Sequence, residues 1–237
     1  MPEPAKPLAN RIALVTGASR GIGAAIAEAL AGQGAHIILT ARTTGGLEEV
    51  EERIHQTGGS ATIAPLDLID GDSIGRLAHA IAQRWEKLDI LVLNAAMLGT
   101  LTPVAAIDAK EFAQLLTLNV GAQAALIAAF DPLLRASEQG RLIAITSSVA
   151  QNPRAYWGAY GASKAALENL ILAYAEEVAN ISGVRAAIVN PGATATKMRA
   201  KAYPGEDPAT LKQPAVVAEA ITKMLVDDFE SGTRRQL

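Results

Sequence analysis

Ile12-Ala-Leu-Val-Thr16-Gly17-Ala18-Ser19-Arg20-Gly21-Ile22-Gly23 is the stretch from which the fold can be read. Ile12–Thr16 is short and apolar on both faces, as a strand covered on both sides would be. Gly17, Gly21 and Gly23 follow at once, and Ile22–Gly32 then takes up a helical pattern. Glycines permit a tight turn and let a pyrophosphate approach the bare backbone. The helix start beyond them presents N–H groups that no carbonyl inside the helix can accept. A strand, a glycine turn and a helix in that order point to a nucleotide site rather than a plain turn. The spacing is G-x-x-x-G-x-G, not the commoner G-x-G-x-x-G.

The same alternation runs outward along the chain. Strand-like runs are His36–Ala41, Ala61–Pro65, Ile90–Leu93, Leu142–Thr146 and Ala186–Val189. Helix-like stretches separate them at Leu47–Thr57, Ser73–Trp85, Lys110–Arg135 and Trp157–Ile181, with a last one over Pro214–Asp227. This pattern predicts an α/β chain, a doubly wound parallel sheet with helices on both faces. Asp131-Pro132 is expected to kink or end the long helix. No repeat or linker divides the chain, so residues 11–237 are expected to form one domain. The Pro-rich stretch Met1–Asn10 reads as a loose tail. Ala193–Lys212 is long and rich in Pro, Gly and Ala, as lids and binding loops are.

Composition narrows the classes. Half of the 237 residues are hydrophobic, enough for a sizeable core. The net charge is -3 with no basic run, so nucleic acid is not an expected partner. The chain has no cysteine, which excludes disulfides and thiolate metal sites. His36, His55 and His79 are scattered without ligand spacing, so no metal is expected. No signal peptide is recognisable, no segment reads as a membrane span, and the expected compartment is the cytosol.

A second stretch carries chemistry. In Tyr160-Gly-Ala-Ser-Lys164, phenol and amine lie one helical turn apart on one face. A fixed cation beside a phenol favours the phenolate and suits the tyrosine to acid–base work. Taken alone, the spacing occurs by chance. Together, Thr-Gly-x-x-x-Gly-x-Gly and the later Tyr-x-x-x-Lys resemble the short-chain dehydrogenase/reductase family over about Arg11–Asp227.

That resemblance implies a Rossmann-type fold and hydride transfer between a nicotinamide and a carbonyl or alcohol carbon. Tyr160 would exchange the proton, and Lys164 would lower its pKa and hold the ribose. Ser147, thirteen residues before the tyrosine, would polarise the substrate oxygen, although Thr146 and Ser148 flank it with hydroxyls of their own. Asn119, in Leu118-Asn119-Val120, would join a water chain to the lysine. The cofactor would rest on Gly17, Ser19, Arg20, Gly21, Ile22 and Gly23, with Asp67 and Leu68 at its adenine. Tyr160, Lys164, Pro191, Gly192, Thr194 and Thr196 would meet its nicotinamide half. Where the family usually reads Asn-Asn-Ala-Gly, this chain has Leu93-Asn94-Ala95-Ala96, which keeps one asparagine and adds a methyl beside the cofactor.

NADP is expected over NAD. The second strand ends Thr40-Ala41-Arg42 with no acid for the ribose, and Arg20 and Arg42 suit a 2′-phosphate. Met97–Leu101, Val149–Trp157 and the loop from Ala193 would enclose a small or medium apolar carbonyl compound. Two alternatives stay open: a catalytically silent nucleotide-binding regulator, and a 3-oxoacyl-carrier-protein reductase. The acidic Glu176-Glu177 would repel an acidic carrier. A lyase or epimerase usually carries a larger C-terminal region. The helices Lys110–Arg135 and Trp157–Ile181 are expected to form a homodimer, or a tetramer. The family's last strand is expected to be shortened or missing.

Overall fold

The computed structural model describes residues 6–237. Seven strands form one sheet: β1 (Ile12–Thr16), β2 (His36–Thr40), β3 (Ser60–Ile63), β4 (Ile90–Leu93), β5 (Arg141–Ile145), β6 (Arg185–Asn190) and β7 (Thr233–Gln236). Their order is β3-β2-β1-β4-β5-β6-β7, with every pairing parallel. The winding reverses between β1 and β4, which opens a crevice at the carboxyl ends of the strands.

The helices are α1 (Gly21–Gly32), α2 (Thr44–Gln56), α3 (Gly71–Trp85), α4 (Ala109–Leu116), α5 (Ala122–Ala136), α6 (Gly158–Ala179), α7 (Lys197–Ala202) and α8 (Pro214–Asp227). They cover both faces of the sheet, so β1, β4 and β5 are buried at every position. Successive residues of β1 serve opposite cores, as the two-residue period of a strand requires. Ala13 and Val15 join Ile26, Leu30, Val50 and Ile221 under α1, α2 and α8. Ile12 and Leu14 join Ile74, Phe130 and Ile171 under α3, α5 and α6.

Four expectations are corrected. The expected tail does not reach Asn10: Lys6–Asn10 forms a turn, with Leu8 only 3% exposed and its N–H donating to the Gln33 carbonyl at 2.9 Å. Residues 1–5 lie outside the described residues. Pro132 does not end its helix, since α5 continues to Ala136. A proline there removes one N–H near the helix end, and packing of Phe130, Leu133 and Leu134 against the sheet holds the turn. The irregularity lies earlier, in a π turn at Thr117–Gly121 that joins α4 to α5. The last strand is not missing, since β7 pairs with β6 over four residues. Finally, Ala109–Ala136 is long and apolar enough by composition to cross a membrane, with a mean hydropathy of 1.4. Leu126, Phe130 and Leu134 on that segment are fully buried against the sheet.

Candidate active site

One cavity of about 1110 Å³ runs across the carboxyl ends of the strands, from Arg42 at one end to Trp157 at the other. All the predicted site residues line it except Gly23 and Asn119.

The glycine turn is shaped by close backbone contact. Gly17 has a φ of 65°, which favours glycine. A Cβ on Gly23 would stand 2.4 Å from the Gly17 carbonyl oxygen and 2.5 Å from Asn94 Nδ2, closer than carbon can come. Gly23 therefore works behind the wall rather than on it, letting α1 approach β1. Asn94 Nδ2 donates to the Thr16 carbonyl at 2.8 Å. Thr16 Oγ1 accepts from the backbone N–H of Asn94 at 2.9 Å and of Ala95 at 3.1 Å, and donates to the Val92 carbonyl at 3.1 Å. These bonds tie the ends of β1 and β4 together without the missing first asparagine. Ala96 lines the cavity just beyond them.

Arg20 and Arg42 are exposed on the same wall, and neither forms an ion pair among the described residues. Arg20 precedes α1 and makes no side-chain bond to its first turn, so the N–H groups of that turn are not capped by it. Two free guanidiniums beside an open helix start fit the phosphates of a dinucleotide. Asp67 Oδ1 accepts from the Ile69 N–H at 3.1 Å, which shapes the loop after β3. At the other end of the wall, Thr194 Oγ1 donates to the Pro191 carbonyl at 3.2 Å. Thr196 caps α7 by accepting from the Arg199 N–H at 3.1 Å.

At the chemical end, the three neighbouring hydroxyls separate. Thr146 Oγ1 is committed to Glu168 at 2.7 Å, and Ser148 Oγ accepts from Arg154 at 3.4 Å. Among the described residues Ser147 Oγ makes no hydrogen bond, and it faces the cavity at the end of β5. Tyr160 is 7% exposed beneath Trp157, whose ring meets it edge-on at 5.9 Å, and beneath Met198. Lys164 is 3% exposed; its Nζ donates to the Ile145 carbonyl at 2.9 Å and lies 5.9 Å from the Tyr160 ring centre.

Electrostatics depart from the sequence expectation in one respect. The lysine does not touch the phenol oxygen, so burial dominates and raises the Tyr160 pKa above its usual range. Tyr160 therefore rests protonated. Burial pushes Lys164 the other way, down to about 8, with the nearby Glu168 carboxylate opposing the fall.

Asn119 does not line the cavity and is fully buried. Its Oδ1 accepts from the Met97 N–H at 2.9 Å, and its Nδ2 donates to the Met97 carbonyl at 2.9 Å and to Ser163 Oγ at 3.0 Å. The π turn aims this side chain at the loop after β4 and at α6, one residue before Lys164.

The loop from Ala193 carries a short helix, α7, and a 3-10 turn at Pro208–Thr210. Arg199 binds Glu206 through two nitrogens at 2.5 and 2.6 Å and stacks 3.8 Å over Tyr203, which in turn lies against Trp157 at 5.7 Å. Leu98, Leu101, Val149 and Met198 complete an apolar pocket around Tyr160. Sequence reasoning passed over Tyr203 and Glu168. The first had no signal. The second had one: it continues the four-residue spacing of Tyr160 and Lys164 by one more turn. Arg135 is bound to Asp131 at 2.7 Å, and Glu176 and Glu177, which would repel an acidic carrier, are exposed.

Comparison with known proteins agrees with this fold. The sequence pattern of the family described as short chain dehydrogenase matches residues 11–207. The uncharacterized oxidoreductase YciK of Escherichia coli is 38% identical over 95% of this chain and 90% of its own. A short chain dehydrogenase from Shigella flexneri, solved in complex with NADP, superposes with a TM-score of 0.91 at 35% identity, covering 98% of each chain. A second, from Escherichia coli and in complex with NADPH, superposes at 0.92 with 36% identity over 99% of each.

Proposed function

The chain belongs to the short-chain dehydrogenase family, an oxidoreductase family, and on that premise we propose that it uses NADP(H) on a carbonyl or alcohol carbon with Tyr160 as the proton carrier. The observation that carries this reading is convergence. A buried phenol, a lysine on the same helical face and an uncommitted serine share one cavity with two unpaired arginines.

The residues fit an NADP-sized ligand. The backbone at Gly17 and the start of α1 would hold the pyrophosphate, and Arg20 and Arg42 the 2′-phosphate. Leu68 would flank the adenine. Pro191, Gly192, Thr194 and Thr196 would meet the nicotinamide half, opposite Ala96. When bound, the nicotinamide supplies or accepts the hydride. In the reductive direction Ser147 Oγ donates a hydrogen bond to the substrate oxygen and fixes its place. Tyr160 gives its proton to that same oxygen, and the phenolate it leaves is stabilised by the Lys164 ammonium. Trp157, Met198 and Leu98 exclude water around the transfer. Asn119 serves by fixing Met97 and Ser163. The apolar lining favours a small or medium apolar aldehyde, ketone or alcohol.

A silent nucleotide-binding regulator would have no need of Tyr160, Lys164 and a free Ser147 on one cavity. Titration of the protein with NADPH and NADH, followed by intrinsic fluorescence, tests the reading. NADPH should bind at least about tenfold tighter, and Arg20→Ala/Arg42→Ala should remove the preference. Preference for NADH would overturn the arginine assignment; binding of neither would overturn the cofactor reading.

We also propose a homodimer. Ala162, Ala165 and Ala173 are exposed along one face of α6 with Asn169 between them, and the apolar Ala109–Ala136 segment leaves much of its length incompletely buried. Such surfaces allow close helix packing across a two-fold axis. Light scattering that found only monomer at micromolar concentration would remove it.

A further inference from the structure

Glu168 is 4% exposed, and a carboxylate so placed is costly unless it is bonded and paired. Two of its bonds lead to the segment that carries Ser147. One oxygen accepts from Thr146 Oγ1 at 2.7 Å; the other accepts from Gln151 Nε2 at 2.9 Å and pairs with the Arg234 guanidinium of β7. One turn back along α6, Lys164 Nζ donates to the Ile145 carbonyl at 2.9 Å. Two side chains from successive turns of one helix thus hold two successive residues at the end of β5. Ser147 is the next residue. Gln151 follows the short turn Ser148–Ala150, so Glu168 grips the serine segment on both sides.

We propose that Glu168 is a positioning residue for the reaction: it fixes the segment that carries Ser147 and supplies the negative charge that keeps Lys164 an ammonium beside Tyr160. This rests on the hydride-transfer reading above. Charged and titratable groups facing Lys164 are few. Tyr160 and Glu168 lie on its own helix, and Arg234 stands behind Glu168 on β7. Glu111 of α4 lies at the cavity rim, bonded to Thr100 Oγ1 at 3.0 Å. The packed segments Thr117–Gly121 and Ser148–Ala150 bring no ionisable side chain, and Arg185 of β6 is turned to Asp228 at 2.7 Å. Arg234 partly offsets Glu168, so removing one or the other should move Lys164 in opposite directions.

The test is an NMR titration of protein labelled with 13C/15N-lysine, the Lys164 signal being assigned by its loss in Lys164→Met. It needs neither cofactor nor substrate. Glu168→Gln should lower the Lys164 midpoint, Arg234→Gln should raise it, and Glu168→Asp, which keeps the charge, should restore it toward wild type. In steady-state assays Glu168→Gln should lower kcat about tenfold, the scale of losing an outer hydrogen-bond partner, with KM within about twofold. The alkaline limb of its rate profile should move to lower pH. An unmoved midpoint in Glu168→Gln, with only a lower Tm, would overturn the proposal. If Glu168→Gln does not fold, an unmoved midpoint in Arg234→Gln would do the same. Midpoints that move as expected in a protein that reduces no carbonyl would sink the hydride-transfer reading while leaving the coupling in place.

Discussion

At the nucleotide end of the cavity, Gly17 and Gly23 leave no room for a side chain, and backbone meets backbone across the turn. At the substrate end, Trp157, Tyr203, Arg199 and Glu206 close the rim by stacking and pairing with one another. The first end is rigid because a single added carbon would collide with main chain. The second holds through contacts that several other side chains could supply. A ligand common to a whole family suits the first construction; a substrate that differs between members suits the second.

Substitutions at each end can break this contrast, beginning with the chemistry itself. Tyr160→Phe should lower kcat by about a thousandfold, the range of general acid catalysis, and leave NADPH affinity within about twofold. Full activity in that variant would show that another group carries the proton. Gly23→Ala should act at the opposite end. Its methyl must push on the Gly17 carbonyl, so stability should fall by about 2 kcal/mol and NADPH binding by about tenfold. A change in substrate KM alone would show that the two ends are not separate.

Titration sharpens the contrast further. Lys164 sits near 8, well below an ordinary lysine, so its ammonium is present below that pH and is lost above it. The reductive kcat should therefore fall as pH rises past about 8, approaching tenfold per unit, while NADPH affinity changes less. A rate that keeps rising to pH 10 would mean that the charge beside Tyr160 is not needed. The smallest effect is expected at the lid. Glu206→Gln removes a partly exposed partner of Arg199, so substrate KM should rise roughly threefold with kcat and NADPH affinity unchanged.

Much of this was legible before any coordinates, and the reason differs from residue to residue. Gly17, Gly21 and Gly23 could be read because a turn is a local event and its constraint is written in neighbouring residues. Tyr160 and Lys164 could be read because helical spacing puts them on one face. Pro132 does not end its helix, since a proline disrupts a helix only as far as tertiary packing allows, and a π turn falls earlier, at Thr117–Gly121. Asn119 was found as a residue but not as a clamp, because its partners Met97 and Ser163 lie on other elements. Ser147 was singled out by its thirteen-residue interval to Tyr160, and the bond from Thr146 to Glu168 adds a reason that only the fold supplies.

The sequence by itself pointed to the alternation of strands and helices, to the glycine turn after the first strand and to the shared helical face of Tyr160 and Lys164. Each of these follows from residues within a few positions of one another. The tertiary structure decided that Tyr160 rests protonated, that Lys164 points to a carbonyl, and that Arg234 reaches Glu168 across sixty-six residues of chain. Burial and charge pairing are properties of the packed molecule, and they depend on groups that only the fold brings within reach.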